Sequence, residues 1–230
     1  MNPQLTGGLL DFEQAVQTAL ETVGDPTSHV ERDAVTFHPS QICLCERRAY
    51  CSKLGLEDNT AILGVFQTGT FIHEFLEERF AEQFPAPQFE RAVEHEIDGL
   101  RFVGQADCYD PRTNAVYDWK TRSSWYNFDP PVDRHLDQLH VYMAALGAEH
   151  GQVVYLHKGT MEVRTWPEDD WFAFDAERFE TIVGKAQRIR NAIARDGIAE
   201  RVEEIPFERC GCYFCREEML RMKGTGGTSD

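Results

Sequence analysis

Apolar and polar positions along this chain follow two periods, and the period switches several times. Residues 11–23 place apolar side chains three and four apart, which predicts an amphipathic helix. Residues 43–56 (CLCERRAYCSKLGL) predict a second helix, with Ser40 as its cap and Gly55 at its end. A longer helical stretch covers 60–84. The period then falls to two, and 90–97 (ERAVEHEI), 100–108 (LRFVGQADC) and 115–121 (AVYDWKT) read as strands. Helical spacing returns over 132–147, short strands follow at 152–157 and 161–166, and a helix is predicted over 169–195. That last helix gathers Phe179, Ile182, Val183, Ala186, Ile189 and Ile193 on one face. No internal repeat is visible. Helices, a strand meander, a helix, two strands and a helix predict an α/β or α+β domain, a sheet with helices packed on it.

The meander carries a register. Asp110-Pro111-Arg112-Thr113-Asn114 is a turn signal, with Pro at the second position of a type I turn. A loop over 111–114 pairs Asp110 with Ala115. Asp107 is then expected directly opposite Asp118, and Gln105 opposite Lys120. One face of the hairpin is expected to be core: Leu100, Phe102, Gly104, Ala106 and Cys108 with Tyr117 and Trp119. The other carries Val103, Gln105 and Asp107 with Val116, Asp118 and Lys120. Opposed carboxylates repel each other. With a lysine beside them they make sense around a divalent cation, and oxygen ligands suit Mg²⁺ or Mn²⁺. The alternative is a solvated face with a chance Asp pair. His73, expected on a helix with Glu77 one turn on, would bias such a site towards Mn²⁺. Gln138 and Tyr142 share one helix face.

Composition narrows the field. The chain has 230 residues with no apolar run long enough to span a bilayer. Fifteen Phe, seven Tyr and four Trp supply a core, so a disordered chain is excluded. The start, MNPQLTGGLLDFEQ, lacks the basic and apolar stretches of a secretory signal, so a cytoplasmic protein is expected. Thirty-nine acidic against 23 basic residues give a formal charge of −16, which argues against a nucleic-acid partner. However, only five of the basic residues are Lys, and a Lys-poor, acidic composition is what a very salty cytoplasm favours. In concentrated salt the Debye length shrinks to about 3 Å, and global charge says little about partners.

Seven cysteines, an odd number, argue against a disulfide framework. Cys43, Cys45 and Cys51 lie near the start, and Cys210, Cys212 and Cys215 fall within six residues in ERCGCYFCRE. Clustered thiols suggest a metal or an iron–sulfur cluster. Three ligands in that run need a fourth, which Cys45 or Cys43 can supply. Cys51 and Cys108 suit a plain apolar role.

Gly69-x-x-x-His73, Gly104-x-x-Asp107, Asp118-x-Lys120 and Gln138-x-x-x-Tyr142, in that order, resemble the RecB-type branch of the PD-(D/E)XK nucleases. The cysteines on either side, and Cys45-Glu46-Arg47-Arg48-Ala49-Tyr50, narrow the resemblance to the CRISPR-associated RecB-like exonucleases and their iron–sulfur relatives. It covers about 39–216. It implies a PD-(D/E)XK core with a central mixed sheet and flanking helices, preceded by a helical segment over 1–38 and followed by a flexible tail over 217–230. It also implies a metal-dependent DNA exonuclease, acting on single-stranded ends with 5′-to-3′ polarity. Its setting would be CRISPR spacer acquisition, with integrase proteins as partners, in a salt-adapted organism or its virus. An idle DNA-end-binding module, or a viral or repair nuclease, is the competing expectation. His73, Asp107 and Asp118 would be metal ligands, with the Trp119 carbonyl adding another. Lys120 would activate water, and Gln138 and Tyr142 would position the strand. Cys45, Cys210, Cys212 and Cys215 would hold [4Fe–4S] and staple the two ends of the chain. Compression of the last three into Cys-x-Cys-x-x-Cys leaves zinc as a competitor and Cys43 as a substitute for Cys45. If DNA binds, Arg47, Arg48 and Arg122 are expected beside the Asp107–Asp118 cleft.

Overall fold

The computed structural model describes residues 12–24, 33–217 and 220. In chain order its elements are α1 (Phe12–Val23), β1 (Thr36–Phe37), α2 (Pro39–Ile42), α3 (Glu46–Lys53), α4 (Leu63–Gln83), β2 (Gln88–Ile97), β3 (Leu100–Asp110) and β4 (Ala115–Arg122). They continue with α5 (Asp133–Leu146), β5 (His150–His157), β6 (Val163–Trp166), β7 (Phe172–Ala173), α6 (Ala176–Asp196) and α7 (Tyr213–Glu217). The expected tail over 217–230 lies outside the described residues, apart from Glu217 and Leu220.

The sheet is mixed. β2 and β4 flank β3 in antiparallel fashion, β5 runs parallel to β4, and β6 and β7 pair antiparallel with β5. The parallel β4–β5 pair requires a crossover, and α5 supplies it. Helices cover both faces. On one side α4 packs on Cys108, Trp119 and Leu156 through Leu76, with Ile72 and Phe80 alongside. On the other, α5 contributes Leu136, Leu139, Tyr142 and Met143 against Val116, Val153 and Tyr155. Contact there is so close that a Cβ on Gly151 would stand 2.7 Å from Met143 Sδ and 2.9 Å from Leu139 Cδ2. Next to that core, Phe179, Ile182, Val183, Ala186 and Ile189 of α6 cover Leu100 and Phe102 together with Tyr50, Phe214 and Cys215.

Three expectations change. The helix expected over 43–56 is shortened to α3, with Cys45, not Ser40, at its cap position, and a separate short helix, α2, opens at Pro39 before it. Gly55 does end the segment, with φ +68. The last helix starts at Ala176 rather than 169, because the Asp175 side chain accepts from Arg178 N and caps it. Residues 172–173 are spent on a short strand.

The hairpin register holds only near the turn. Cys108 pairs with Tyr117, Tyr109 with Val116 and Asp110 with Ala115. There the ladder ends, so Asp107 is not a ladder partner of Asp118, nor Gln105 of Lys120. β3 and β4 fork at this point. β4 leaves with β5, to which it is paired along its whole length, and β1 pairs with Arg101 and Phe102 further along β3. Pro39, just after β1, packs on Gly104, where a Cβ would stand 3.0 Å from Pro39 Cδ. The pleat also slips at the fork. Ala106 lies with the α5 core and Cys108, Tyr117 and Trp119 with the α4 core, so the expected single core face is divided between the two sides of the sheet.

Candidate active site

The fork gathers polar groups from four elements. A Cβ on Gly69 would stand 3.4 Å from Thr121 Oγ1, so glycine there lets α4 approach β4 closely and delivers His73 one turn later. His73 Nδ1 lies 3.2 Å from Asp107 Oδ1. Asp107 Oδ2 accepts from Trp119 N at 2.5 Å, a side-chain bond across the fork where the ladder has ended. On β4, Lys120 Nζ donates to Asp118 Oδ1 at 2.7 Å. On α5, Gln138 Nε2 donates to Tyr142 OH at 3.0 Å. The structure thus brings His73, Asp107, Asp118, Trp119 and Lys120 to one place, with the Gln138–Tyr142 pair at its wall.

The electrostatics of the fork are strained. Asp118 is 0% exposed, and its Oδ2 has no hydrogen-bond partner among the described residues. Burial, only partly offset by Lys120 and reinforced by the charge on Asp107, pushes its pKa up to about 6. Burial opposes ionisation of Asp107 as well, but His73, Lys120 and the Trp119 amide outweigh it and hold that carboxyl below its usual range. At His73 burial disfavours the charged ring, yet the bond to Asp107 and the nearby acids raise its pKa. A buried carboxylate oxygen with no donor beside a His and a second acid is what a divalent cation would satisfy, so the donor set fits Mg²⁺ or Mn²⁺.

Sequence reasoning missed Glu90. Its carboxylate, the His73 ring nitrogen and the Asp107 carboxylate present ligand atoms within 4.8 Å of one another. Burial and the charge on Asp107 push its pKa up to about 7. No periodicity marks it: in ERAVEHEI it is one of three glutamates, and its backbone φ of 44° is a tertiary feature.

Two hollows meet at Ser40. One, about 450 Å³, is acidic, with His73, Glu74, Glu77, Glu90 and Asp107 in its wall. The other, about 380 Å³, is lined by Arg48, Lys120, Arg134, His135 and Gln138. Burial, then Lys120, Arg134 and Arg122, drives the His135 pKa down to about 2, so its ring is neutral. Arg48 is tied to Glu57 at 2.6 Å and lies over Phe214. Arg122 stacks on Phe128, 4.1 Å from its centroid, and donates to Ser124 O. Arg47 departs from expectation. It is 7% exposed and donates to Phe207 O at 2.7 Å and Val202 O at 3.3 Å, so it ties α3 to the C-terminal segment and lines neither hollow.

The four expected thiolates also meet. Cys45 Sγ lies 3.7 Å from both Cys212 and Cys215, and Cys210 lies 3.8 Å from Cys215. Cys43 is buried in the neighbouring core outside this group. Burial opposes the Cys212 thiolate, but the Cys215 amide and the adjacent thiols bring its pKa down to about 7, which favours metal ligation.

The family description that matches the sequence is the PD-(D/E)XK nuclease superfamily, over residues 79–217. The match includes Asp107, Asp118, Lys120, Gln138 and Tyr142, and begins after His73. No curated protein sequence matches significantly. Among solved structures, the crystal structure of SSO0001 is 20% identical, with TM-score 0.55 over 81% of this chain and 89% of that one. The alkaline exonuclease LHK-Exo from Laribacter hongkongensis is 14% identical, with TM-score 0.48 over 71% of this chain and 89% of its own. At 20% identity the likeness to SSO0001 is one of fold.

Proposed function

The chain belongs to the PD-(D/E)XK nuclease superfamily, and from that premise we propose that it is a divalent-metal-dependent DNA exonuclease that trims single-stranded ends from 5′ to 3′. The observation that carries the proposal is the fork itself: Asp118, buried with an unsatisfied oxygen, next to Asp107, His73 and Lys120. A Mg²⁺ or Mn²⁺ ion held by His73, Asp107, Asp118 and the Trp119 carbonyl would polarise the scissile phosphate and lower the pKa of an attacking water. Lys120 lines the basic hollow and is bonded to Asp118 of the fork. Its ammonium, held by Asp118, would orient the water and meet charge that develops on the phosphate oxygens. Arg134, with Arg48 partly offset by its Glu57 partner, gives the neighbouring hollow positive charge of the kind a DNA backbone requires. Tyr142, 5% exposed and held by Gln138, keeps α5 fixed against Gly104 and so sets the width of the fork. The CRISPR setting with integrase partners is part of the same proposal; co-purification with an integrase tests it.

The thiolate group would staple α3 to the C-terminal segment and so constrain nearly the whole chain between. A single ion with 2.3 Å zinc–sulfur bonds sets its four sulfurs about 3.8 Å apart. A [4Fe–4S] cube requires its thiolates roughly 6 Å apart. The 3.7–3.8 Å spacings therefore favour zinc over the expected iron–sulfur cluster. Metal analysis of anaerobically purified protein, with its absorbance near about 400 nm, decides between them.

The test of the enzyme is cleavage of end-labelled single strands with Mn²⁺ at low and high salt. Asp107→Ala and Lys120→Ala should each slow it by about a thousandfold or more while leaving the fold intact. Wild-type rates in those variants, or no cleavage by the wild type, would overturn the proposal. Labels at the 5′ and 3′ ends read the polarity.

A further inference from the structure

Glu90 is the acid of the fork that the motifs do not contain. In the β2–β3 ladder Phe89 pairs with Cys108 and Arg91 with Ala106, so Glu90 stands opposite Asp107, with no ladder pair between them. Both strands change face at this point: Phe89 and Cys108 belong to the α4 core, Val93 and Ala106 to the α5 core. The switch runs through Glu90, whose φ of 44° lies in the left-handed region that side-chain-bearing residues rarely adopt. Its consequence is to bring the Glu90 carboxylate to the other side of Asp107 from the Lys120–Asp118 pair, where it meets His73.

No hydrogen bond or ion pair satisfies the Glu90 carboxylate among the described residues. Its neighbours in the acidic hollow, Glu74 and Glu77, carry the same charge. The nearby ammonium, Lys120, is already bonded to Asp118. A second feature independently points to a cation: Asp118 Oδ2, in a fully buried side chain beside Asp107, has no partner. Three half-buried donors from α4, β2 and β3 hold ligand atoms within 4.8 Å of one another, a mixed nitrogen–oxygen set of the kind that suits Mn²⁺, and the orphaned oxygen of β4 lies across Asp107 from Glu90.

We propose that Glu90 is a further ligand of the divalent cation, closing the centre on the side opposite Lys120. The assignment rests on the nuclease reading above and extends it. Ligation from β2 would tie the cation to the edge of the fork that carries no motif. It would also leave Lys120 and the basic hollow free to receive the phosphate.

The experiment is a titration of the full chain with Mn²⁺ alone, by calorimetry and by the loss of the free-ion EPR signal. Wild type, Glu90→Gln, Glu90→Gly and Asp107→Ala are compared. Both Glu90 variants should bind Mn²⁺ at least tenfold more weakly. Glu90→Gly should at the same time melt higher than wild type without Mn²⁺, because it removes both a repelled carboxylate and a left-handed side chain. A merely structural Glu90 would lower the melting point and leave affinity alone. Wild-type affinity in both variants overturns the Glu90 assignment while the nuclease reading stands, provided Asp107→Ala has lost binding. A wild type that binds no Mn²⁺ overturns both.

Discussion

Replacing Asp118 with Asn should make the cation-free protein more stable while it destroys activity. Asp118 is 0% exposed, and its pKa rises from an ordinary 3.8 to about 6. A carboxyl with a raised folded-state pKa binds its proton more tightly folded than unfolded. It therefore costs stability at pH values where both states are ionised. A shift of about two units corresponds to roughly 3 kcal/mol at pH 7. The cost is absent below about pH 4, grows between about 4 and 6, and is complete above. Asn is isosteric and uncharged, so Asp118→Asn removes that cost but leaves Lys120 without its partner. Lys120 is 18% exposed and can recover some hydration, so about 1 kcal/mol is returned. The net gain is about 2 kcal/mol, or roughly 4–8 °C in melting temperature for a chain of this size. The assay is urea unfolding of wild type and Asp118→Asn, dialysed free of Mg²⁺ and Mn²⁺, from pH 7 down to pH 4. The variant should lead at pH 7 and lose its lead as the pH falls. Mn²⁺ at a hundred times its Kd should return about 2.7 kcal/mol to the wild type and little to the variant. A variant less stable than wild type at pH 7 would refute the reasoning, because the Lys120 pair would then outweigh the burial of charge.

Three further outcomes are expected. Arg47→Ala should cost about 2–4 kcal/mol in denaturant unfolding, since it strands the Phe207 and Val202 carbonyls, yet leave DNA affinity unchanged. Arg48→Ala should weaken DNA binding in a gel-shift titration and also cost stability, since it strands the Glu57 carboxylate. Gly151→Ala should destabilise by about 1–3 kcal/mol, because its Cβ would press on Leu139 and Met143; a melt unchanged within error would contradict the packing of α5 on β5. If the four thiolates hold a metal, chelating it, or Cys215→Ala, should lower the melting point by about 10 °C or more, reflecting about 4–5 kcal/mol of chain entropy for a loop well over a hundred residues long. Mn²⁺ binding in the fork serves as the control that should persist below that lowered midpoint.

Much of this was legible in the chain. Spacing alone located α4, α5 and the face of α6, because amphipathic period is imposed locally by which side must be dry. The turn at Pro111 set the register from Cys108–Tyr117 to Asp110–Ala115, since two or three residues beside a tight turn have no other way to pair. The motif residues that meet at the fork and the four thiolates that meet at the chain ends were visible for a related reason: their side chains are of the types that bear chemistry. Gly69 and Gly104 stand where another element touches the backbone, which explains why each opens a motif.

Other features depend on partners distant in sequence. Whether the β3–β4 ladder continues past Cys108 is decided by β1 and Pro39, more than sixty residues upstream, which pack along β3 where β4 has left. Arg47 and Arg48 are adjacent and alike, yet the helix turns one towards the carbonyls of the C-terminal segment and the other towards the hollow. Glu90 resembles the other glutamates of its strand until the pleat slips and swings it towards His73. The elements, the turn and the candidate reactive groups can be read along the chain, because they follow from short-range sterics and side-chain chemistry. The fork, its third acid and the direction of each arginine emerge on folding, because a ladder's end and a side chain's partner are settled by competition among groups far apart in the chain.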